Sequence, residues 1–337
     1  AREGSLLAAI DRTVTAPGAR MLAARLARPL LDPALIDARL DAVAWFCERR
    51  PLRQKLRETL KGMPDMARGL SRLALGRGGP RDLGALRDGL SLGETVCRLF
   101  TETRDPLVTL PAELASALAA LDLQAIPELA AFRELLEDGL GADLPALARD
   151  GGFVAAGVRP ELDQARALRD DSRRVVAALE AQLAGESGVA LKIRHNAVLG
   201  YFVETTAKAA EPLMGAPLNA TFIHRQTLAN QVRFTTVELA ELDAKIAQAA
   251  ERALAIELDT FEAWREAATG VASPIQSAAQ AAALLDVAAA LAEWSDDVGG
   301  TRPIIDRSTA FEAEAARHPV VEAAVRRAGD AFTPNDC

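Results

Sequence analysis

One stretch of this sequence, residues 188–236, differs from everything around it and limits the folds open to the chain. The flanking regions are rich in alanine and leucine, whereas this stretch gathers β-branched and aromatic residues. Asn196, Gly200 and the segment 212–217 interrupt it, as expected for several short strands joined by turns. The sequence therefore predicts a small β element inserted into a helical protein.

The charge of this stretch also differs from that of the whole chain. Between Thr221 and Thr236 the only charged residues are Arg225 and Arg233, while the net charge of the chain is -8. A basic β element in an acidic protein is a candidate surface for phosphate groups. An ordinary sheet with two solvated arginines is the simpler interpretation, and charge alone does not decide between the two.

Two long helices are predicted on either side of the β element. The first runs from about residue 159 to 185, and the second starts near Thr236 with apolar residues at steps of three and four. At a rise of 1.5 Å per residue, each helix would be about 35–40 Å long. An antiparallel pair of this kind would form a rod with a β tip; the alternative is two ordinary bundle helices.

The remaining sequence predicts a mainly α protein that changes character near its C-terminal end. Residues before 140 show helical apolar stripes divided by prolines and glycines, and residues 274–294 form an alanine-rich helix. After Gly300, the segments 302–306 and 310–314 have the pattern of short strands. We expect these to open an incomplete α/β domain, which would make the chain a fragment.

Composition excludes several classes of protein. A net charge of -8 and a pI near 5.2 argue against nucleic-acid binding by the whole surface, although not by a local patch. The three scattered cysteines form neither a disulfide framework nor a metal site. No apolar run reaches membrane-spanning length, since the best, 281–292, is interrupted by Asp286. We expect a cytoplasmic protein with no membrane contact.

Five motifs, in order along the chain, resemble the MutS family of DNA mismatch-repair proteins. The motifs are DRTVTAPGARML at 11–22, RDGG at 149–152, NAVLGYFV at 196–203, RQTLAN at 225–230 and RHPVVE at 317–322. They have family-like separations, and the similarity covers essentially the whole chain. One such motif would be weak evidence for the family, whereas five motifs in the family order are a specific signal.

The resemblance implies a domain organisation and a set of partners. Residues 1–182 and 241–297 would form the core and lever helices, residues 183–240 the clamp, and residues 298–337 the start of the ATPase domain. The implied partners are double-stranded DNA, a second copy in a homodimer, and a MutL-type repair protein. The levers would couple DNA binding to the ATPase domain.

Functional roles carry over only to matching positions. In the clamp, Asn230 and Arg233 match polar positions that approach the DNA backbone, and Arg225 lies nearby. Further candidates for DNA contact are Lys192, Arg194 and His195. In the ATPase opening, Phe332 matches an aromatic residue that stacks near adenine.

Departures from the family pattern limit what this chain can do. The family binds ATP and Mg²⁺ with a G-x-x-x-x-G-K-[ST] loop, but none of the five lysines here follows a glycine. We therefore expect no cofactor, no catalytic residue and no ATP hydrolysis from this chain, and the ATPase segment would stop before that loop. The segment at about 207–220 is longer than the corresponding segment of the family's clamp. Phe46-Cys47-Glu48 matches the mismatch-reading Phe-x-Glu only superficially, because its helical stripe predicts Phe46 in the core and Glu48 on the surface.

Three other functions remain open at this point. The chain could be a coiled-coil or hinge-type adaptor with a protein-binding β tip, or a recombination-related MutS homologue. It could also be an enzyme on its own, although no nucleophile–histidine arrangement or metal-ligand spacing supports this. Salt-dependent binding to duplex DNA would separate the first alternative from the main interpretation.

Overall fold

The computed structural model describes residues 4–103, 109–196 and 198–337, without the side chains of 168–170 and 173. The chain divides into two compact units: Ala1–Leu140 with Ala263–Cys337, and Gly141–Glu262. Helices dominate, and the described residues form one four-stranded antiparallel sheet. The predicted fold class, mainly α with a small β insertion, is confirmed.

The first unit is helical, and several of its helices begin with a capping side chain. The side chain of Thr15 accepts a hydrogen bond from the backbone of Gly18 at the start of α2, and Asp32 and Asp65 cap α3 and α5 in the same way. The helices are α1 (Leu6–Ile10), α2 (Ala16–Ala27), α3 (Pro33–Cys47), α4 (Arg50–Leu60), α5 (Met66–Ala74), α6 (Pro80–Thr103), α7 (Ala112–Leu121), α8 (Pro127–Gly139), α12 (Ala272–Val298) and α13 (Pro319–Arg327).

Helix α12 is the central helix of this unit. It packs against α2, α3 and α7, and its alanine-rich sequence allows these neighbours to approach closely. Asp286, in the middle of α12, is fully buried. Its carboxylate accepts hydrogen bonds from the backbone N–H groups of Val14 (3.0 Å) and Thr15 (2.8 Å) and from the Thr15 hydroxyl (2.6 Å). Asp286 therefore anchors the start of α2 to the core helix.

By length and composition alone, α12 would qualify as a membrane-spanning helix. The expectation that no segment reaches this length was wrong, because it counted Asp286 as a break in the apolar run. In the structure, 72% of the most apolar window of α12 is buried inside the protein. The burial is that of a core helix, and the charge of Asp286 is balanced by hydrogen bonds rather than exposed.

The Phe46-Cys47-Glu48 segment lies where the helical pattern predicted. Phe46 is fully buried at the end of α3 and packs edge-on against Trp45 and Phe100, with ring centroids 5.2 and 6.2 Å away. Glu48 is exposed and pairs with Arg49. The aromatic ring is therefore part of the core, not a wedge for DNA bases.

The segment after α12 departs from the expectation. Residues 302–306 and 310–314 form no strand. The backbone pairing within 298–337 is an isolated bridge between Ala316 and Asn335 and two hydrogen bonds that Ala313 exchanges with Cys337 (2.9 and 2.8 Å). Ile304 and Phe311 are exposed by 96% and 79%. The prediction of strands here was wrong for the described structure, because a strand needs a continuous run of backbone hydrogen bonds to a neighbour and these segments have too few.

The cysteines of the first unit give a simple test of its packing. Burial raises the pKa of the Cys97 thiol to about 11, whereas Cys337 is exposed. Since the thiolate is the reactive form, iodoacetamide at pH 8 should modify Cys97 at least roughly tenfold more slowly than Cys337 under native conditions. Peptide mass spectrometry over a time course measures both rates, and denaturant should abolish the difference. Equal native rates would show that α6 is not packed as described.

The second unit consists of two long helices and the sheet between them in sequence. Its elements are α9 (Pro160–Ser187), β1 (Lys192–Asn196), β2 (Gly200–Thr206), α10 (Ala207–Met214), β3 (Ile223–Thr227), β4 (Gln231–Thr235) and α11 (Val237–Gly270), of which the part up to Glu262 belongs here. Two short 3-10 helices, Ala148–Asp150 and Leu218–Ala220, complete the described structure.

The ends of α9 and α11 follow directly from local sequence. Helix α9 starts with Pro160 in its first turn and ends at Gly188, which adopts the left-handed conformation (φ 63°) that glycine tolerates best. Helix α11 follows Thr236, whose hydroxyl accepts a hydrogen bond from the Leu239 N–H (3.1 Å). The long stretches between these ends contain no proline or other strong helix breaker.

Contacts at both ends show that α9 and α11 run antiparallel, as predicted. At one end the guanidinium of Arg166 donates to the buried carboxylate of Glu257 (2.7 Å). The same carboxylate accepts from the backbone N–H of Gly152 (2.5 Å). At the other end, Leu183 of α9 and Leu239 of α11 belong to one apolar cluster with the sheet.

Candidate nucleic-acid interface

The sheet has the order β1-β2-β4-β3, with every neighbouring pair antiparallel. Val203 of β2 lies opposite Phe234 of β4, and Thr205 lies opposite Val232. These residues face an apolar cluster that also contains leucines of α9, α10 and α11. One face of the sheet is therefore covered by helices, because alternate residues of each strand point to the same side.

Helix α10 accounts for the extra length noted at 207–220. It starts with Thr206 as N-cap and contributes Ala210 and Leu213 to the apolar cluster. The sequence did not predict a helix here, since Pro212 lies inside it. The insertion covers the apolar face of the sheet and leaves the opposite face unobstructed by this helix.

The turn between β1 and β2 is fixed by two polar side chains. The Asn196 side chain accepts hydrogen bonds from the backbone N–H groups of Val198 (2.9 Å) and Leu199 (2.8 Å). Gly200 has φ 67°, and any side chain there would overlap the carboxylate of Asp243 on α11. These contacts hold the hairpin against the start of α11.

The second face of the sheet is polar and centres on Glu204. This carboxylate is buried, forms an ion pair with the Nε of Arg194 on β1 (2.9 Å) and accepts a hydrogen bond from the Nε of Arg233 on β4 (3.1 Å). Arg233 also donates to the Gln226 side chain (3.0 Å) and stacks on the Phe202 ring at 4.6 Å. One carboxylate therefore binds two arginines and offsets half of their charge.

The structure places the two predicted arginines of this face differently. The side chain of Arg194 is 62% exposed, whereas that of Arg233 is 20% exposed. The Nε of Arg194 faces Glu204, and its terminal N–H groups have no hydrogen-bond partner among the described residues. Arg233 is the internal member of the group and Arg194 the outward one.

Strand β3 is the most exposed part of the sheet. It lies at one edge, and all five of its residues are exposed. The pairing of β3 with β4 shifts between His224 and Gln226, so Arg225 is the extra residue of a bulge. Within the described part of the chain, Arg225 has no hydrogen-bond or ion-pair partner. Asn230 is exposed in the following turn, where its backbone carbonyl accepts from the Ala207 N–H (3.3 Å).

The remaining predicted residues lie on β1. Lys192 pairs with Glu180 of α9 (2.8 Å), although its side chain is 70% exposed. Burial of Glu180 would raise its pKa, but hydrogen bonds from Lys192 and from the Ile193 N–H hold it below its usual value. His195 packs against Tyr201, with ring centroids 4.8 Å apart.

All six residues predicted for DNA contact lie on the sheet or in its β3–β4 turn, but not on one face, because His195 alternates with Arg194 on β1 and packs on Tyr201 beside the apolar cluster. Residues 188–236 carry five lysines and arginines against two glutamates, a net charge of +3 in a chain of net charge -8. Sequence reasoning missed Glu204, because its effect depends on the register that sets it between Arg194 and Arg233. The available signal in the sequence was that Glu204 lies in a predicted strand close to other predicted strands that carry arginines.

Comparison with known proteins decides the family. The family model of MutS domain III matches residues 1–292. The chain belongs to the MutS family. Over 336 residues it is 71% identical to the DNA mismatch repair protein MutS of Caulobacter sp. (strain K31) and 70% identical to that of Caulobacter vibrioides (strain ATCC 19089 / CIP 103742 / CB 15), covering 100% of this chain in each case. It is 53% identical to MutS of Rhodopseudomonas palustris (strain BisB5) over 337 residues.

The chain spans about 37% of the length of the two Caulobacter MutS relatives. The family resemblance predicted from the five motifs is confirmed. The domain boundaries 1–182 with 241–297, 183–240 and 298–337 stay predictions, as do the individual DNA-contact residues.

Proposed function

We propose that this chain is the part of a DNA mismatch-repair MutS protein that holds duplex DNA by its backbone. Residues 183–240 would be the clamp, carried by α9 and α11 as levers. The observation that carries the proposal is the +3 sheet whose exposed edge presents Arg225 with no carboxylate partner in the described residues. Arginine and asparagine side chains donate to phosphate oxygens, which fixes position without reading sequence.

The six residues predicted for DNA contact would have different roles. Arg225, Asn230 and the terminal N–H groups of Arg194 would contact phosphate directly, with Lys192 on the same face of β1 as Arg194; His195, on the other face, would contribute least. Arg233 would position its neighbours, since it is held by Glu204, Gln226 and Phe202. The names of the MutS relatives favour mismatch repair over the recombination-related alternative.

The whole protein's other properties belong to the same proposal. It would act in the cytoplasm as a homodimer, bind a MutL-type partner, and use ATP and Mg²⁺ in its complete ATPase domain. The residues of this chain do not fit a complete nucleotide site. Phe332 is half-buried and available for a base, but residues 298–337 contain no lysine and no glycine-rich phosphate loop. His318 only caps α13, accepting from the Val321 N–H (3.3 Å).

Duplex binding should be salt-dependent and should weaken when Arg225 is neutralised. With three to five phosphates contacted, the sheet should contribute a slope of roughly -3 to -4 to log affinity against log salt. Arg225→Gln should reduce the magnitude of that slope by about 1. Fluorescence anisotropy with a short labelled duplex at several salt concentrations measures both.

The matched control is Arg307→Gln, an exposed arginine outside the sheet that loses the same charge. It should leave the slope close to that of the unmodified chain. If Arg225→Gln and Arg307→Gln behave alike, the sheet does not contact phosphate through its exposed edge. Binding that is independent of salt would instead favour a protein-binding β tip.

A further inference from the structure

A second basic region lies in the first unit, far in sequence from the sheet. Residues 49–98, which form α4, α5 and most of α6, contain twelve lysines and arginines against five acidic residues. Their net charge is +7 in a chain of net charge -8, although Arg49, Arg50 and Arg53 pair with acids outside these residues, namely Glu48, Asp296 and Glu293. Such asymmetry within one chain indicates an anionic partner for the basic part.

The three helices build one elongated surface. Helices α4 and α5 both pack on α6, and they follow each other along it. Met66, at the start of α5, fills the space beside Gly89, while Gly69 lies beside Asp82 near the start of α6. The chain from α4 to α5 therefore runs antiparallel to α6. With 24 residues, α6 is about 36 Å long.

The acidic residues of this region are already neutralised. Each of the five has an arginine or lysine within ion-pair distance. The pairs are Glu58–Lys61 (2.7 Å), Asp65–Arg20 (2.8 Å), Asp82–Arg72 (3.2 Å), Asp88–Arg87 (2.8 Å) and Glu94–Arg133 (3.8 Å). The acids therefore offset cations that are held in place and leave the unpaired cations uncompensated.

Four exposed cations of the region have no hydrogen-bond or ion-pair partner for their side chains among the described residues: Lys55, Arg68, Arg77 and Arg98. Lys55 and Arg98 line the same groove between α4 and α6, together with Glu58, which pairs with Lys61, and Glu102. Arg68 lies one turn before Arg72, whose guanidinium donates to the carbonyl of Arg77 (3.2 Å). The free charges thus occur towards both ends of α6.

The chemistry of this surface favours a polyanion over a protein. Among the large apolar side chains of residues 49–98, Leu75 is the exposed one, at 67%. Protein interfaces depend on an apolar centre with aromatic anchors, whereas interfaces with nucleic acids are more polar and strongly positive. The length of α6 also matches about one turn of duplex DNA, roughly 34 Å.

We propose that the solvent-facing side of α4, α5 and α6 is a second phosphate-binding surface for duplex DNA, distinct from the sheet. Its contacts are made by Lys55, Arg68, Arg77 and Arg98. Because these side chains meet phosphates rather than bases, the surface binds duplexes of any sequence. Each contact releases condensed counterions, so its contribution falls as salt rises.

The test compares charge-matched double variants of the 337-residue chain. Arg68→Gln/Arg77→Gln and Lys55→Gln/Arg98→Gln each remove two charges from the surface. The control Arg28→Gln/Arg307→Gln removes two exposed arginines of the same unit that lie outside it. Affinity for a short labelled duplex is measured by fluorescence anisotropy between about 50 and 200 mM salt. Circular dichroism verifies that every variant keeps its helices.

Each surface variant should reduce the magnitude of the salt slope by about 2, and the two combined by about 3–4. The control should leave the slope unchanged. Neutralising Arg194 and Arg225 of the sheet should leave the effect of the surface variants unchanged, so the two surfaces can fail independently. Slopes equal to that of the control would overturn the proposal, as would no duplex binding by the unmodified chain at low salt. Binding of poly-glutamate by the same variants is a second readout. If the surface variants lose poly-glutamate binding but keep duplex binding, the surface belongs to an acidic protein partner instead.

Discussion

Glu257→Ala should destabilise the second unit by about 3–5 kcal/mol. The Glu257 carboxylate is 4% exposed and accepts from the Arg166 guanidinium (2.7 Å) and from the Gly152 N–H (2.5 Å). Alanine would leave a largely buried arginine without its counter-charge and a backbone donor without an acceptor. Both losses cost more than the hydrogen bonds themselves contribute, because the orphaned groups stay away from water.

Hydrogen–deuterium exchange measures this effect locally. Peptides covering residues 151–166 should exchange much faster in Glu257→Ala, and the urea midpoint followed by far-UV circular dichroism should fall. Glu251→Ala, an exposed glutamate on the same helix, is the matched control and should change neither. Unchanged exchange across 151–166 in Glu257→Ala would show that Glu257 does not hold the base of the paired helices.

Asp286→Ala should destabilise the first unit by about 3–4 kcal/mol. The substitution removes the acceptor for the half-buried N–H of Val14, for the buried N–H of Thr15 and for the Thr15 hydroxyl. Hydrogen bonds to a charged partner are each worth roughly 1.5–3 kcal/mol, and the donors left behind are not solvated. Asp286→Asn keeps one acceptor oxygen and should lose about half as much.

Tryptophan fluorescence follows this unit selectively, because Trp45, Trp264 and Trp294 all belong to it. The urea midpoint of the fluorescence transition should fall in Asp286→Ala and fall less in Asp286→Asn. Gln276→Ala, an exposed position on α12, should leave it unchanged. An Asp286→Ala midpoint close to that of the control would mean that the start of α2 is held by other contacts.

These two carboxylates show why the same residue type is structural in one place and functional in another. Glu257 and Asp286 are buried and meet mostly backbone N–H groups, so they join a loop to a helix. Glu204 is also buried, but its partners are two arginines on a face that our proposal assigns to DNA. Its carboxylate therefore sets how much positive charge the sheet presents.

Local patterns were enough to predict the outline of the fold. The β insertion followed from the concentration of β-branched and aromatic residues, and α9 and α11 followed from their apolar spacing and their flanking proline, glycine and threonine. The burial of Phe46 followed in the same way from its helical stripe. Family membership followed from five motifs in order, since each is a run of consecutive residues.

Contacts between distant residues decided the rest. The β pattern at 302–314 gave no strand, because a strand needs a run of backbone hydrogen bonds to a neighbour and here only Ala313 exchanges them, with Cys337. The charge of Arg233 could be read from sequence, but its neutralisation by Glu204 required the register of β2 against β4. In the basic helices, the pairing of Asp65 with Arg20, 45 residues away, removes an acid that the sequence counts in full.

The sequence by itself therefore determined the type of each long element, the family and the sign of the charge in each region. It did so because helix and strand periodicity, capping and composition are properties of neighbouring residues. Only the tertiary structure decided which charges are free. Whether an ionic group meets water, a partner chain or an opposite charge depends on residues brought together by folding, and that choice separates Arg225 from Arg233.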